Sequence, residues 1–118
     1  MLIGASEGKS FRFEVLEAAN GFLVRMRDLD TGAVEEKESK IFRTAAVAFA
    51  YAEMSAAFER FAQAKIAGEE SAELEAELDE TQLLYGEISH RLGDSGIAAH
   101  LIVAWDRQHS ASDRRRFH

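Results

Sequence analysis

The chain has 118 residues, of which 47% are hydrophobic and 30% charged, so it can form one domain with a real core and is unlike a disordered chain. It contains no cysteine, which excludes disulfides, thiolate nucleophiles and cysteine-based zinc sites. The formal net charge of −7 disfavours binding to a phosphate backbone.

Targeting and membrane signals are absent from the pattern. The longest near-continuous apolar run, residues 97–105, is much shorter than the ~20 residues that cross a bilayer. The first residues lack a basic segment ahead of an apolar stretch, so they do not resemble a secretory signal. We therefore expect a single cytoplasmic domain spanning residues 1–118, with no membrane partner.

The N-terminal third predicts a small sheet. Residues 1–9 are expected to form a flexible arm. Turn residues follow at Asn20-Gly21 and at residues 30–32. Apolar and polar residues alternate in the segments around these turns, which is typical of half-buried strands. The alternating segments are Phe11–Val15, Phe22–Arg27 and Val34–Phe42. Residues 10–43 therefore predict a three-stranded antiparallel β-meander, with charge on the last strand to protect an edge.

From Thr44 onward the apolar residues recur every three or four positions, which predicts helices. Thr44 can cap a first helix that ends before Gly68, and Ser71 can cap a second helix that ends before Gly93. The short connection between them favours an antiparallel α-helical hairpin.

The expected core faces of this hairpin follow from helical geometry. The apolar line of the first helix contains Val47, Tyr51, Met54, Phe58 and Phe61. That of the second contains Leu74, Leu78, Thr81, Tyr85, Ile88 and Leu92. Phe49 lies on the other side of the first helix, where we expect the sheet to cover it. Numerous alanines in the first helix allow a neighbouring element to approach closely.

A third, apolar helix is expected to start at Asp94 or Ser95, because only His100 is polar between residues 97 and 105. Three helices would thus occupy residues 44–109, followed by a basic tail over residues 110–118. The fold class is α+β: a three-stranded antiparallel β-meander, a long α-helical hairpin and a third apolar C-terminal helix.

The size of these helices favours self-association. A helix of ~22 residues is about 33 Å long, close to the ~35 Å diameter of a compact domain of this length. A three-stranded sheet can shield only part of the hairpin, and a helix that is apolar on every side needs cover. We therefore expect a homodimer or higher oligomer, assembled through Ile102, Val103 and Trp105.

Residues 69–94 carry nine acidic residues and only Arg91 as a basic one. A solubilising surface explains this charge, and a surface that binds a basic partner protein is the alternative. The residues expected to contact such a partner are Glu73, Glu77, Glu80 and Leu83. The basic tail of a neighbouring subunit is another candidate for the same surface.

A second hypothesis is a nucleic-acid-associated protein. It would use Arg25 and Arg27 on the sheet together with the tail residues Arg114–Arg116. Because most of the surface is acidic, we expect nucleic acid to be a weaker candidate than protein.

Catalytic and metal-binding patterns are incomplete. Glu87 and His90 have the Glu-x-x-His spacing of di-iron sites, but the motif occurs once and on the polar side of its helix. Gly8-Lys9-Ser10 resembles the end of a phosphate-binding loop without its first glycine. An enzyme or ligand-binding site around His100 and Tyr85 is the remaining alternative. We therefore expect a non-enzymatic, regulatory interaction module without cofactor or metal.

The motifs Gly21-Phe22-Leu23-Val24, Asp28-Leu29 and Thr44-Ala45 together resemble the N-terminal domains of HicB-type antitoxins. The resemblance covers residues 13–57 and implies a hairpin followed by a helix that is entered through a threonine. The proline and glycine that usually follow the Asp-Leu pair in that family are missing here.

Overall fold

The computed structural model of the protein describes residues 1–101, which form an antiparallel sheet and two long helices. The strands are β1 (Leu2–Glu7), β2 (Phe11–Ala18), β3 (Gly21–Asp28), β4 (Val34–Phe42) and β5 (Ile97–Ala98), and the helices are α1 (Ala45–Ile66) and α2 (Ala72–Leu92). Residues 99–101 begin a third helix. The α+β class and the helical hairpin are therefore confirmed. The predictions for Ile102, Val103, Trp105 and the tail lie outside the described residues.

The strands pair in the order β1-β2-β3-β4-β5, so sequence neighbours are also neighbours in the sheet. The predicted hairpin turn is confirmed, with Ala19 and Asn20 between β2 and β3, and only Gly21 has a positive φ there. The second turn is also confirmed, because the carboxylate of Asp28 accepts hydrogen bonds from the backbone N–H groups of Asp30 and Thr31.

The prediction of a flexible N-terminal arm is wrong, because Leu2–Glu7 pairs with β2 along its length. The strand was missed because Gly4 and Ser6, at the less exposed positions of β1, are not apolar and therefore give no alternating pattern. Gly4 lies against the ring of Phe49 on α1, where a Cβ atom would clash. A glycine is thus required by the close approach of the helix. The predicted contact between Phe49 and the sheet is confirmed.

The start of the third helix was also predicted wrongly. Ile97 and Ala98 pair with Ile41 and Lys40 as strand β5, and helical conformation begins only at Ala99. The error has a physical cause: a two-residue strand inside an apolar run leaves no periodic signal of its own. The sheet consequently has five strands instead of three, and β4 is partly covered at its end.

Helix α1 lies between the sheet and α2, and alanines line both of its buried sides. Ala48, Ala52 and Ala56 belong to the same buried cluster as Phe13, Val15 and Val24 of the sheet. The second buried set lies on the opposite side of the helix, at seven-residue spacing, and consists of Ala50, Ala57 and Ala64. Since α1 packs only against strands and α2, this second set faces α2. The layers are thus sheet, α1 and α2.

This arrangement corrects the predicted core of α1. Val47 is fully buried and Tyr51, Met54 and Phe61 are partly buried, but Phe58 is 56% exposed. Close packing on both sides selects alanine, and the large apolar residues are displaced to the flanks of the helix. The predicted approach of a neighbouring element to the alanines is confirmed.

Helix α2 begins and ends as predicted. The Ser71 hydroxyl accepts a hydrogen bond from the N–H of Leu74, and Gly93 has the left-handed conformation that ends many helices. Leu78 is the buried residue of its apolar line, whereas Leu92 is exposed. Most of the surface of α2 therefore remains outside the core. Neither described helix is apolar enough over a sufficient length to span a membrane.

Two buried carboxylates join distant parts of the chain. Glu59 on α1 accepts hydrogen bonds from the N–H groups of Lys9 and Ser10, at 2.5 and 2.8 Å, and so fixes the turn between β1 and β2. The Gly8-Lys9-Ser10 segment, considered above for phosphate binding, thus presents its N–H groups to a carboxylate of the protein itself.

Asp94 fixes the start of α1. Its Oδ2 accepts hydrogen bonds from the N–H groups of Arg43 and Thr44, both at 2.9 Å, and from the Thr44 hydroxyl at 3.0 Å. Thr44 is the N-cap residue as predicted, but its hydroxyl donates to Asp94 and does not accept from the helix backbone. Burial raises the pKa of Asp94, but hydrogen bonds from Thr44, Arg43 and Gly96 outweigh it, so this pKa lies below its usual value.

We expect Asp94→Ala to lower the free energy of unfolding by about 2–3 kcal/mol at pH 7, because it leaves buried N–H groups without an acceptor. The pKa of Asp94 is lower in the folded state than in the unfolded chain. The stabilisation is therefore complete above the pKa of an unfolded aspartate, about 4, and is lost as the pH falls through the pKa of folded Asp94. Urea unfolding at several pH values measures it. The exposed Asp79→Ala on α2 is the control, and an equal loss in both variants would contradict the role of Asp94.

We expect Ala52→Leu to destabilise the fold by about 1–3 kcal/mol, because α1 and the sheet leave no room for a larger side chain. Ala46→Leu makes the same change at an exposed position of α1 and should be close to neutral. Chemical denaturation of both variants provides the measurement. Equal stability of the two would show that the alanine contact with the sheet is loose.

Candidate interaction site

The sheet has one covered face and one open face. Helix α1 packs against the face that carries Phe13, Val15 and Val24, and α2 lies beyond α1 on the same side. No element within residues 1–101 packs on the opposite face. This open face carries both an apolar row and a cluster of charged residues.

An apolar row crosses the open face from one edge of the sheet to the other. The row consists of one residue from each strand, paired in register: Leu2 with Leu16, Leu16 with Leu23, Leu23 with Ile41, and Ile41 with Ile97. Directly opposed residues in antiparallel strands lie on the same face, about 5 Å apart. The two ends of the row are more than half exposed, with Leu2 at 51% and Ile97 at 56%.

The local sequence around Asn20-Gly21 sets the centre of this row. The turn brings Leu16 opposite Leu23, and the two-residue period then places both on the face that also carries Arg25. The row was missed in the sequence because its members lie in five separate strands, and Leu2 and Ile97 belong to the unpredicted strands β1 and β5. The pairing of Leu16 with Leu23 could have been predicted from the register of the hairpin expected at Asn20-Gly21.

Beside the apolar row lies a charged cluster centred on Glu14, which is only 3% exposed. Arg25 donates through Nε to Glu14 at 2.6 Å, and Arg27 donates through Nε to both carboxylate oxygens at 3.1 Å. Arg12 completes the cluster, with a guanidinium nitrogen 3.7 Å from Glu14 and a shorter bridge to Glu7. Three arginines and two glutamates give this part of the face a formal charge of +1.

The protonation of Glu14 follows from these contacts. Burial raises the pKa of the carboxyl group, but hydrogen bonds and charge attraction from Arg27 and Arg25 outweigh burial, so the pKa lies below its usual range. Glu14 is therefore ionised at neutral pH. The cluster holds the arginine side chains against the sheet at fixed positions next to the apolar row.

Arg25 and Arg27, which the nucleic-acid hypothesis assigns to phosphate binding, lie close together. Both already donate hydrogen bonds to acceptors of the protein itself. Arg25 and Arg27 bind Glu14, and Arg27 also donates to the carbonyl of Gly32 at 2.6 Å. A phosphate group would have to compete with these partners. The tail arginines that complete this hypothesis lie outside the described residues.

The four residues predicted to bind a partner through α2 differ in their surroundings. Glu73 and Glu80 are exposed, and Leu83 is 66% exposed on the side away from α1. Glu77 instead forms an ion pair with Arg60 of α1, whose guanidinium also donates to the carbonyl of Glu7 in β1. Glu77 therefore has a partner inside the domain, and the other three residues remain available for contact.

The residues considered for catalysis are not brought together. Tyr85 packs against the rings of Tyr51 and Phe42, with centroids 5.5 and 6.4 Å away, whereas His100 is exposed just beyond β5. Glu87 and His90 are both exposed on α2, and within residues 1–101 no three His, Asp or Glu side chains are placed to share a metal ion.

Comparison with known proteins identifies no relative: no protein-family model, no curated protein and no solved structure matches this chain. The resemblance of residues 13–57 to antitoxin domains is therefore a similarity of pattern.

We expect Glu14→Gln to lower the free energy of unfolding by about 1–2 kcal/mol. Hydrogen bonds to charged groups contribute roughly 1.5–3 kcal/mol, and the partial exposure of the arginines reduces their effect. Thermal and urea unfolding at neutral pH measure the change. Glu17→Gln, at an exposed position of the same strand, is the matched control. If the two variants were equally stable, the arginine cluster would not contribute to the fold.

Proposed function

We propose that this chain is a non-enzymatic protein-interaction module that self-associates through the open face of its sheet. One observation carries the proposal: an unbroken apolar row crosses all five strands on the face that neither α1 nor α2 covers. Apolar patches that remain open in a folded domain mark interaction sites. The lack of cysteine supports a reducing compartment such as the cytoplasm.

The dimensions of the row suit a protein partner. Four strand spacings of about 4.8 Å make it roughly 19 Å long. Fully burying a Leu or Ile side chain contributes about 1.5–3 kcal/mol. Leu2 and Ile97 have the most surface left to bury, so their burial in a complex would offset part of the entropic cost of binding.

The charged cluster gives this surface a polar border. Interaction surfaces commonly combine an apolar centre with a polar rim in which arginine is frequent. Arg12, Arg25 and Arg27 are held in place by Glu14, so little side-chain freedom is lost when a partner binds. The cluster thus supports orientation and specificity, while the row supports affinity.

The acidic surface of α2 supports a second contact, with a basic protein. Leu83 is exposed between Glu80 and Glu87 along the outer side of the helix, and an apolar residue surrounded by charge is a suitable anchor for a partner. Glu73 and Glu80 are proposed to contact the basic partner directly. Glu77 is paired with Arg60 and is not proposed to make a direct contact.

We expect the purified protein to be a dimer or larger oligomer in light scattering coupled to size-exclusion chromatography. Ile97→Asp should weaken this association at least about tenfold, equivalent to about 1.4 kcal/mol, because it places a charge at the exposed end of the row. Ile66→Asp makes the same change at an isoleucine that is 80% exposed on the last turn of α1 and should leave the assembly intact.

Two results would contradict the proposal. One is a wild-type protein that stays monomeric up to high micromolar concentration. The other is an oligomer that Ile97→Asp and Ile66→Asp weaken to the same extent, because the open face of the sheet would then have no specific part in assembly.

A further inference from the structure

We propose that residues 93–98 form an autoinhibitory strap, which keeps the apolar end of β4 from pairing with the same strand of a second copy. The strap contains the two-residue strand β5, which pairs with Lys40 and Ile41 of β4. The edge of a sheet offers backbone N–H and C=O groups to which another chain can bind. This edge is distinct from the open face through which self-association is proposed, so the strap adds a second, regulated contact.

The two ends of β4 are protected in different ways. Residues 35–38 are all charged and exposed, and the register of β4 against β3 shifts beside them. Charged side chains and bulges on an edge strand discourage pairing with another chain. At the other end, Ile41 and Phe42 are apolar, and the ammonium group of Lys40 lies over the rings of Phe42 and Tyr51, 5.5 and 4.9 Å from their centroids. Strand β5 pairs with the end of β4 that lacks outward charge.

The pairing of β5 contributes little to holding the strap in place. Only Ile97 and Ala98 form it, and Ile97 remains 56% exposed. The pairing therefore buries little apolar surface. Short strand pairs without further packing are marginal in water. The strap must be held mainly by its contacts before β5.

Two such contacts attach the strap to the junction between β4 and α1. The carboxylate of Asp94, which is only 4% exposed, accepts hydrogen bonds from the N–H groups of Arg43 and Thr44, and the Arg43 guanidinium donates to the carbonyl of Gly93. The backbone of Gly96 lies against Phe42, where an added Cβ atom would come within 2.5 Å of the ring.

The strap can open while the rest of the domain stays folded. The buried cluster of the described chain contains Phe42 but no residue of the strap. Segments with few buried apolar contacts open at a lower free energy than the whole fold. Loss of the contacts at Asp94 and Gly96 would therefore release β5 and leave the packing of α1 on β2 and β3 in place.

An open strap exposes the backbone groups of Lys40 and Ile41 that β5 otherwise binds. Two open copies present the same apolar end of β4, and identical surfaces can satisfy each other about a two-fold axis. Antiparallel pairing of the two β4 ends has this symmetry, and it repeats the antiparallel pairing that β5 makes. The occupant of the exposed edge is thus the β4 end of a second copy.

Hydrogen exchange followed by mass spectrometry measures the opening. In the wild type we expect the amides of residues 94–98 to exchange faster than those of β2 and β3. Gly96→Ala should accelerate exchange of the strap at least about tenfold, because its Cβ meets the Phe42 ring. Gly32→Ala is the matched control, since Gly32 has a φ of 76° against 74° for Gly96 but has open space at its Cβ position.

A second pair of variants tests the other contact of the strap. Asp94→Asn keeps the size of the side chain and removes its charge, so it should also accelerate exchange of residues 94–98 more than exchange of β2 and β3. Ala52→Leu is expected to destabilise the whole fold without touching the strap. It should accelerate exchange throughout the sheet and show no selective effect on residues 94–98.

Light scattering coupled to size-exclusion chromatography tests the consequence of opening. Gly96→Ala and Asp94→Asn should form larger assemblies than the wild type and Gly32→Ala at the same concentration. As the concentration of these two variants rises, the amides of Lys40 and Ile41 should regain protection from exchange. Those of residues 97 and 98 should stay unprotected, because another strand has replaced β5.

Two results would overturn the strap. One is exchange of residues 94–98 at the rate of β2 and β3 in the wild type and every variant, which would mean that the strap opens only when the whole fold does. The other is a pair of selectively opened variants that have the mass of the wild type and unprotected Lys40 and Ile41 amides at high concentration. A monomeric wild type would contradict self-association through the open face and leave these comparisons intact, because each variant is measured against the wild type at equal concentration.

Discussion

The close packing of α1 between two layers is the constraint on which the rest of the structure depends. Alanines on one side of this helix admit the sheet, and alanines on the opposite side admit α2. Both helices are thereby placed on the same side of the sheet. Arg60 reinforces this order, since its side chain contacts β1 on one side and α2 on the other. Within residues 1–101, neither helix therefore covers the opposite face of the sheet, which carries the apolar row.

Local signals predicted the parts of the fold that depend on local chemistry. The turn at Asn20-Gly21, the cap at Ser71 and the helix end at Gly93 need only neighbouring residues, and each was identified. Strand β1 was not predicted. Its close contact with Phe49 requires glycine at position 4, where an apolar residue would have completed the alternating pattern of a strand. Strand β5 was hidden inside an apolar run that is compatible with a helix.

The candidate site was less predictable than the fold for a related reason. The apolar row exists only when five segments are placed in register, and each segment contributes a single residue to it. Glu14, Glu59 and Asp94 acquire their roles from partners that lie 11 to 51 residues away in the chain. No spacing rule identifies such pairs in one sequence. Exposed features, such as Leu83 among acidic residues, could be predicted from helical periodicity alone.

The hydrogen bonds of Asp94 have a further mechanical meaning. They attach Asp94, three residues before β5, to Arg43 and Thr44, which immediately precede α1. The position of the chain just before β5 is thus tied to the residues that start α1. A disturbance where α1 begins would therefore reach the strand that closes the far edge of the sheet.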